Sequence, residues 1–353
     1  MALPQEKNEE NKFSVFASRG FNSWLASVGG SVAFTTYQVG KVLFIGLNQN
    51  NQLSIFERTF PRSMGIGLSS DNRSLLLATR TQIYAFDNLL KPGQTSEGFD
   101  ALFAPHISWI TGDIDIHDIA LGPSGNPIFI STLFNCIGTV APGYSFKPIW
   151  RPSFISKNVA EDRCHLNGMA VENGVPKFVT CVATTDVPDG WRQHRTDGGV
   201  VINVETNDIV VEDLSMPHSP RLHNGRLWLV NSGKGEFGWV DLERGVFEPV
   251  AFCPGFARGL SFAGKYAIIG LSQARKGKTF DGLPLQEVLS DKNQSQRCGL
   301  IIVDTETGET VEWITLEGVI SELYDVSFLD QIKTPSAIGV IGPEIQRTIS
   351  LCP

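Results

Sequence analysis

Six times along this chain a larger residue is followed by a small or acidic one and then by an apolar run. The pairs are Met64-Gly65, His117-Asp118, Asn167-Gly168, His218-Ser219, Arg258-Gly259 and Tyr324-Asp325, with spacings of 53, 50, 51, 40 and 66 residues. Each pair opens a group of short β-type runs bounded by Gly, Pro, Asn or Asp. In one group, IHDIALGP is followed by NPIFISTLF, CIGTV and YSFKPIW. Four strands recurring every ~40 to 50 residues are the pattern of a β-propeller, in which each repeat is one blade. Helical periodicity is nearly absent; Pro284 to Asp291 (PLQEVLSD) is the one helical candidate. The fold class is therefore all-β, a single propeller over residues 13–353 behind a polar tail, 1–12.

Six openings predict six blades. The last group, LYDVSFLD then PSAIGVIG, lacks outer strands, whereas three runs near the start (SVAFTTYQ, KVLFIGLN, LSIFERTF) belong to no group. Closing one blade with strands from both ends leaves no open edge. Seven blades stay open if the early runs stand alone.

Charge narrows the partners. With 29 basic and 37 acidic residues the net charge is −8, which argues against a polyanion-binding surface. No apolar run reaches the ~18 residues of a membrane-crossing helix, and MALPQEKNEENK has no secretory core. A cytoplasmic location is the expectation. The six cysteines are scattered without a CxxC pair, so thiols are expected rather than a zinc knuckle.

In a propeller the first strand of each blade lines the central channel, so the six pairs form a ring at one mouth. Two long insertions, 183–198 and 273–297, fall between second and third strands and so cover the same mouth as lids. His117, His165 and His218 lie on three consecutive blades at similar height; His106, His194 and His223 lie elsewhere. Imidazoles so placed suit a divalent transition metal (Fe, Cu or Zn), with Asp118, Asp325 or Glu161 assisting as carboxylates. Asp118 is equally readable as a bond to the next blade's backbone. Arg258 and Arg221 offer planar forks for an anionic substrate group, or a salt bridge to Asp118 or Asp325. Tyr324 is a candidate general acid, and Asn167, Trp191 and Arg192 are candidate substrate contacts. No GxSxG elbow, HExxH, P-loop or GxGxxG after a strand is present.

The segments DIDIHDIALGPSGNPIF, AEDRCHLNGMAVENG, DGWRQHRTDGGVVINV, ELYDVSFL and the long stretch from Leu214 to Phe262 resemble a bacterial family of conserved hypothetical β-propellers with a domain of unknown function. The likeness runs from about residue 15 to 345 and includes His117, Asp118, Glu161, His165, Asn167, Trp191, Arg192, His218, Arg221, Arg258, Tyr324 and Asp325. Members occur beside tetratricopeptide, sulfotransferase or natural-product genes, which implies a biosynthetic setting. More remotely, the architecture is similar to calcium-dependent lactonases and strictosidine-synthase-like propellers. Their oxygen-rich calcium sites differ from a ring bearing histidine.

Three functions follow as expectations. The first is a metal-dependent tailoring enzyme, oxidative by preference, acting on a small molecule or peptide side chain with an anionic group. The second is a metal-free hydrolase or isomerase using His and Arg. The third is a non-catalytic propeller that docks a protein or carrier-bound partner.

Overall fold

A computed structural model describes residues 12–273 and 281–351. Most of the expected tail, and residues 274–280 of the second insertion, lie outside them. The described residues begin with β1 (Phe13–Ala17) and helix α1 (Phe21–Val28), then β2 (Gly30–Thr36), β3 (Lys41–Leu47) and β4 (Leu53–Thr59). Blade one is β5 (Ile66–Leu68), β6 (Ser74–Ala78), β7 (Gln82–Asn88) and β8 (Ala101–Ile110). Blade two is β9 (Ile116–Leu121), β10 (Pro127–Ser131), β11 (Cys136–Ala141) and β12 (Tyr144–Trp150). Blade three is β13 (Leu166–Glu172), β14 (Val175–Cys181), β15 (Gly199–Asn203) and β16 (Ile209–Leu214). Blade four is β17 (Pro217–His223), β18 (Arg226–Asn231), β19 (Glu236–Asp241) and β20 (Val246–Phe252). Blade five is β21 (Phe256–Ala263), β22 (Tyr266–Ser272), β23 (Gly299–Asp304) and β24 (Thr310–Gly318), with helix α2 (Pro284–Asp291) between β22 and β23.

The sixth blade is the expected closure. Its inner strand β25 (Leu323–Asp330) pairs antiparallel with β2 from Gly30↔Asp330 to Thr36↔Leu323, and β3 and β4 complete it. Inner strands then pack in a circle, β25 against β5. Six blades, not seven, use every early run as a strand.

Two pairings depart from the expectation. PSAIGVIG is no sixth-blade strand: β26 (Pro335–Ala337) adds in parallel to the outer edge of β8, and Ile338 N–H donates to Phe103 O. β1 caps the outer edge of β24, Phe13 opposite Gly318. Both cover edges that would otherwise stay open. Helix α1 has no counterpart in the sequence pattern. It packs Phe21, Trp24 and Leu25 onto Val32, Leu43 and Ile314.

Alternating apolar residues on both faces of each blade make the core a ring of inter-blade layers. Met64, Leu76, Ile119 and Phe129 fill one; Ile130, Leu166 and Val179 the next. A separate cluster lies under the lids, where Trp191, Val182 and Met216 meet Phe256, Leu283, Leu285 and Leu289.

The inner strands are joined at the ring by a device that alternates around the channel. Asp118 Oδ2 accepts from Met169 N–H, Ser219 Oγ from Gly259 N–H, and Asp325 Oδ2 from Ile66 N–H. Each of these bonds reaches the following blade. At the other three junctions stand Gly65, Gly168 and Gly259, where an added Cβ would come within 3.1, 2.7 and 2.8 Å of the next blade. The second residue of the repeat is thus small or acidic because it meets the neighbouring strand's backbone.

Candidate functional site

Five of the six inner strands slip register at the ring, at Ile130/Ser131, Leu166/Gly168, His218/Arg221, Ala257/Leu260 and Phe34/Thr36 against β25. A bulge suspends strict alternation and re-aims side chains. Consecutive residues can then divide the work, one facing the mouth and the next binding the adjacent blade. Two positions before four ring residues the backbone is left-handed: Arg62, Asp115, His165 and Met216 have φ of 57, 53, 51 and 47° respectively. That turn lifts Asp115 and His165 to the lip.

Each of the three histidines is held through Nδ1. His218 Nδ1 lies 2.8 Å from Met216 O and 3.1 Å from Ser232 Oγ, whose own hydrogen goes to Ala257 O. His117 Nδ1 is 3.3 Å from Asp115 O, and His165 Nδ1 is 2.9 Å from Asp162 Oδ2. Carbonyls and carboxylates only accept, so these bonds assign the proton to Nδ1. Nε2 of a neutral ring is then a bare lone pair, suited to taking a proton. Burial, with Arg258 nearby, holds His117 and His218 well below the usual imidazole range.

Asp162 Oδ2 also accepts from Trp191 Nε1 at 3.0 Å, and the indole stacks on His165 with ring centroids 4.0 Å apart. His165 is thereby fixed in position and plane. His117 meets it edge-on at 5.1 Å. Asp115 stands behind His117, 3.7 Å from Nδ1, and accepts from Arg62 at 3.3 Å; burial pushes its carboxyl up.

The Arg258 guanidinium lies over Tyr324, 3.4 Å from the ring centroid, and Tyr324 stacks in turn on Tyr37. Among the described residues no carboxylate lies within salt-bridge distance of Arg258, and its buried Nη2 has no hydrogen-bond partner. Asn167 Nδ2 donates to Pro217 O at 2.9 Å, while its buried Oδ1 is also unpartnered. Tyr324 is sealed, its hydroxyl 3.5 Å from Ile116 O, and its phenol is raised well above its usual range, chiefly by burial. It supports Arg258 as a platform instead of presenting a free acid.

Several expected residues build the ring. Arg221 Nη1 bonds Asp118 Oδ2 at 2.7 Å and Nη2 reaches Asp325 Oδ1 at 3.4 Å, so this arginine is spent on the channel's own carboxylates. Glu161 pairs with Arg163 at 2.6 Å; the carboxylate at the histidine is its neighbour Asp162. Arg192 is exposed, bonded to Asp189 and resting on Trp191. Among the described residues, no group of three or more His, Cys, Asp or Glu side chains is placed to hold a metal ion. His117, His165 and His218 share a mouth without sharing a coordination point. Arg258, whose charge reaches both His117 and His218, opposes a second cation there.

Asp115 and Asp162 were missed by sequence reasoning. Their signal was an acidic residue two or three positions ahead of a mouth histidine, where a left-handed turn directs it back.

A family model described as a domain of unknown function, DUF4915, matches residues 19–338. No curated protein matches the chain. A chain of a nidogen/laminin complex aligns with TM-score 0.55 and 10% identity, over 86% of this chain and 100% of that one. TolB from Acinetobacter baumannii aligns with TM-score 0.48 and 12% identity, over 87% and 67%. Virginiamycin B lyase from Staphylococcus aureus aligns with TM-score 0.39 and 13% identity, over 86% and 99%. At 10% identity the nidogen/laminin alignment speaks to fold alone. No helix among the described residues is long and apolar enough to cross a membrane.

Proposed function

The chain belongs to the DUF4915 family, and we propose that its propeller mouth is the active site of an acid–base enzyme acting on a small molecule or peptide that carries an anionic group. The observation that carries this is Arg258, a half-buried guanidinium with no salt bridge among the described residues and an unpaired Nη2, whose charge reaches His117 and His218. A half-buried guanidinium whose buried Nη2 has no partner is incompletely satisfied, so an anionic ligand is the natural complement. Arg258 binds the anion, and Tyr324 lies against its guanidinium.

His165 is the base. Its Nε2 takes the proton, and Asp162 stabilises the imidazolium that forms by accepting from Nδ1, as in other carboxylate–histidine pairs. His117, kept neutral by burial, stands edge-on to His165 and leaves it as the proton acceptor. Trp191 excludes water from one side. Every step is a proton transfer or an ion pair that these side chains supply themselves.

Two measurements test the proposal. Calorimetric titration with phosphate, sulfate and short carboxylates is expected to give binding that falls at least about tenfold in Arg258→Met. Elemental analysis of untagged protein is expected to find no stoichiometric transition metal. Anion binding indifferent to Arg258→Met, or a full equivalent of iron, copper or zinc lost on mutating any two of the three histidines, would overturn it.

A further inference from the structure

Arg258 is not the sole unsatisfied group in the ring. Asn167, blade three's ring member between His117 and His218, is 2% exposed, and its amide is half used. Nδ2 donates to the Pro217 carbonyl at 2.9 Å, which fixes the amide's orientation, since the reverse would set oxygen against oxygen. Oδ1 is left as a buried acceptor with no partner. Buried acceptors are rarely left so, and an orphan in an otherwise stitched ring calls for a ligand. Among the buried side-chain atoms of the described ring, one donor, Arg258 Nη2, and one acceptor, Asn167 Oδ1, are therefore unpaired.

Resting on the anion reading above, we propose that the mouth selects a carboxylate carrying an amide N–H, an N-acylated amino acid or the C-terminal residue of a peptide. Arg258 takes the carboxylate and Asn167 Oδ1 accepts the N–H. An amide suits the site better than an ammonium. Arg258 already opposes positive charge on His117 and His218, and a second cation among them meets the same repulsion. A neutral N–H supplies the missing bond without that cost.

The test compares N-acetylglycine with 4-oxopentanoate, in which a methylene replaces the N–H at almost unchanged shape, by calorimetric titration of the intact protein. A site built to accept a hydrogen bond rejects the analogue lacking the donor, so wild type is expected to favour N-acetylglycine by about tenfold or more. In Asn167→Ala the preference is expected to shrink to within about twofold. Equal affinity for the two ligands on wild type, with binding still lost in Arg258→Met, would overturn the N–H proposal and leave the anion site standing. Discrimination that survives in Asn167→Ala would remove Asn167 from the role. Absence of any Arg258-dependent binding would overturn both. The ligand pair reads out on wild type, so the test stands even if Asn167→Ala fails to fold.

Discussion

His218 gives the sharpest quantitative test of how the ring is built. It is 3% exposed, donates through Nδ1 to Met216 O, and meets Phe256 edge-on. Burial first, then Arg258, lowers its pKa well below 6.5. In the unfolded chain the ring titrates near 6.5. Below that value the unfolded state binds a proton that the folded state refuses, so stability is complete above pH ~6.5 and falls as the solution is acidified. For one histidine that stays neutral in the fold, going from pH 7 to pH 5 costs about 2 kcal/mol. His218→Asn removes the titration and keeps a donor near the Nδ1 position. Other groups titrate in the same range, notably Asp325, which burial raises to about 7. They are common to both proteins and cancel in the comparison. Urea unfolding at the two pH values, with equal m, is therefore expected to show wild type losing about 2 kcal/mol more than His218→Asn. A difference below about 0.5 kcal/mol, or one of opposite sign, would refute the claim that this imidazole is held neutral.

Other consequences follow from the ring. Arg221→Met leaves Asp118 and Asp325 facing each other without a cation and is expected to cost about 3 kcal/mol or more in urea unfolding. Gly259→Ala, at φ +83° with a Cβ 2.8 Å from Val326 N, is expected to destabilise by about 3 kcal/mol or more. Gly264→Ala, at φ +57° with nothing within 4 Å, is expected to cost only about 1 kcal/mol. Five cysteines are buried, and burial pushes the Cys136 and Cys298 thiols up to about 12. Ellman's reagent at pH 8 is expected to modify no more than one of the six thiols before denaturant is added.

The architecture was legible because the repeat is written in residues that meet the backbone. Gly65, Gly168 and Gly259 mark close approaches, and Asp118, Ser219 and Asp325 mark bonds to the next blade, so the six openings stood out without tertiary knowledge. β1 and β26 were not legible. Each is short and finds its partner far along the chain, at β24 and β8, and only the folded ring exposes those edges. Helix α1 is eight residues with no side-chain cap and takes its stability from docking Phe21, Trp24 and Leu25.

The site was legible in membership and not in role. The ring brought Arg258, Tyr324, Asn167 and the histidines together as the spacing required, but spacing does not say which charges pair. Asp118 and Asp325 looked like partners for imidazole because they adjoin His117 and Tyr324, yet the bulges turn them to the neighbouring strands and to Arg221. Two of the ring's acids and one of its arginines thus neutralise one another lower in the channel. Arg258 is left above them with aromatic support and no salt bridge among the described residues. An arginine without a salt bridge, above ring charges that pair with one another, marks where the molecule stops serving its own fold. That contrast between Arg221, fully spent, and Arg258, held ready on Tyr324, is the strongest physical reason to look for the substrate's negative charge at Arg258.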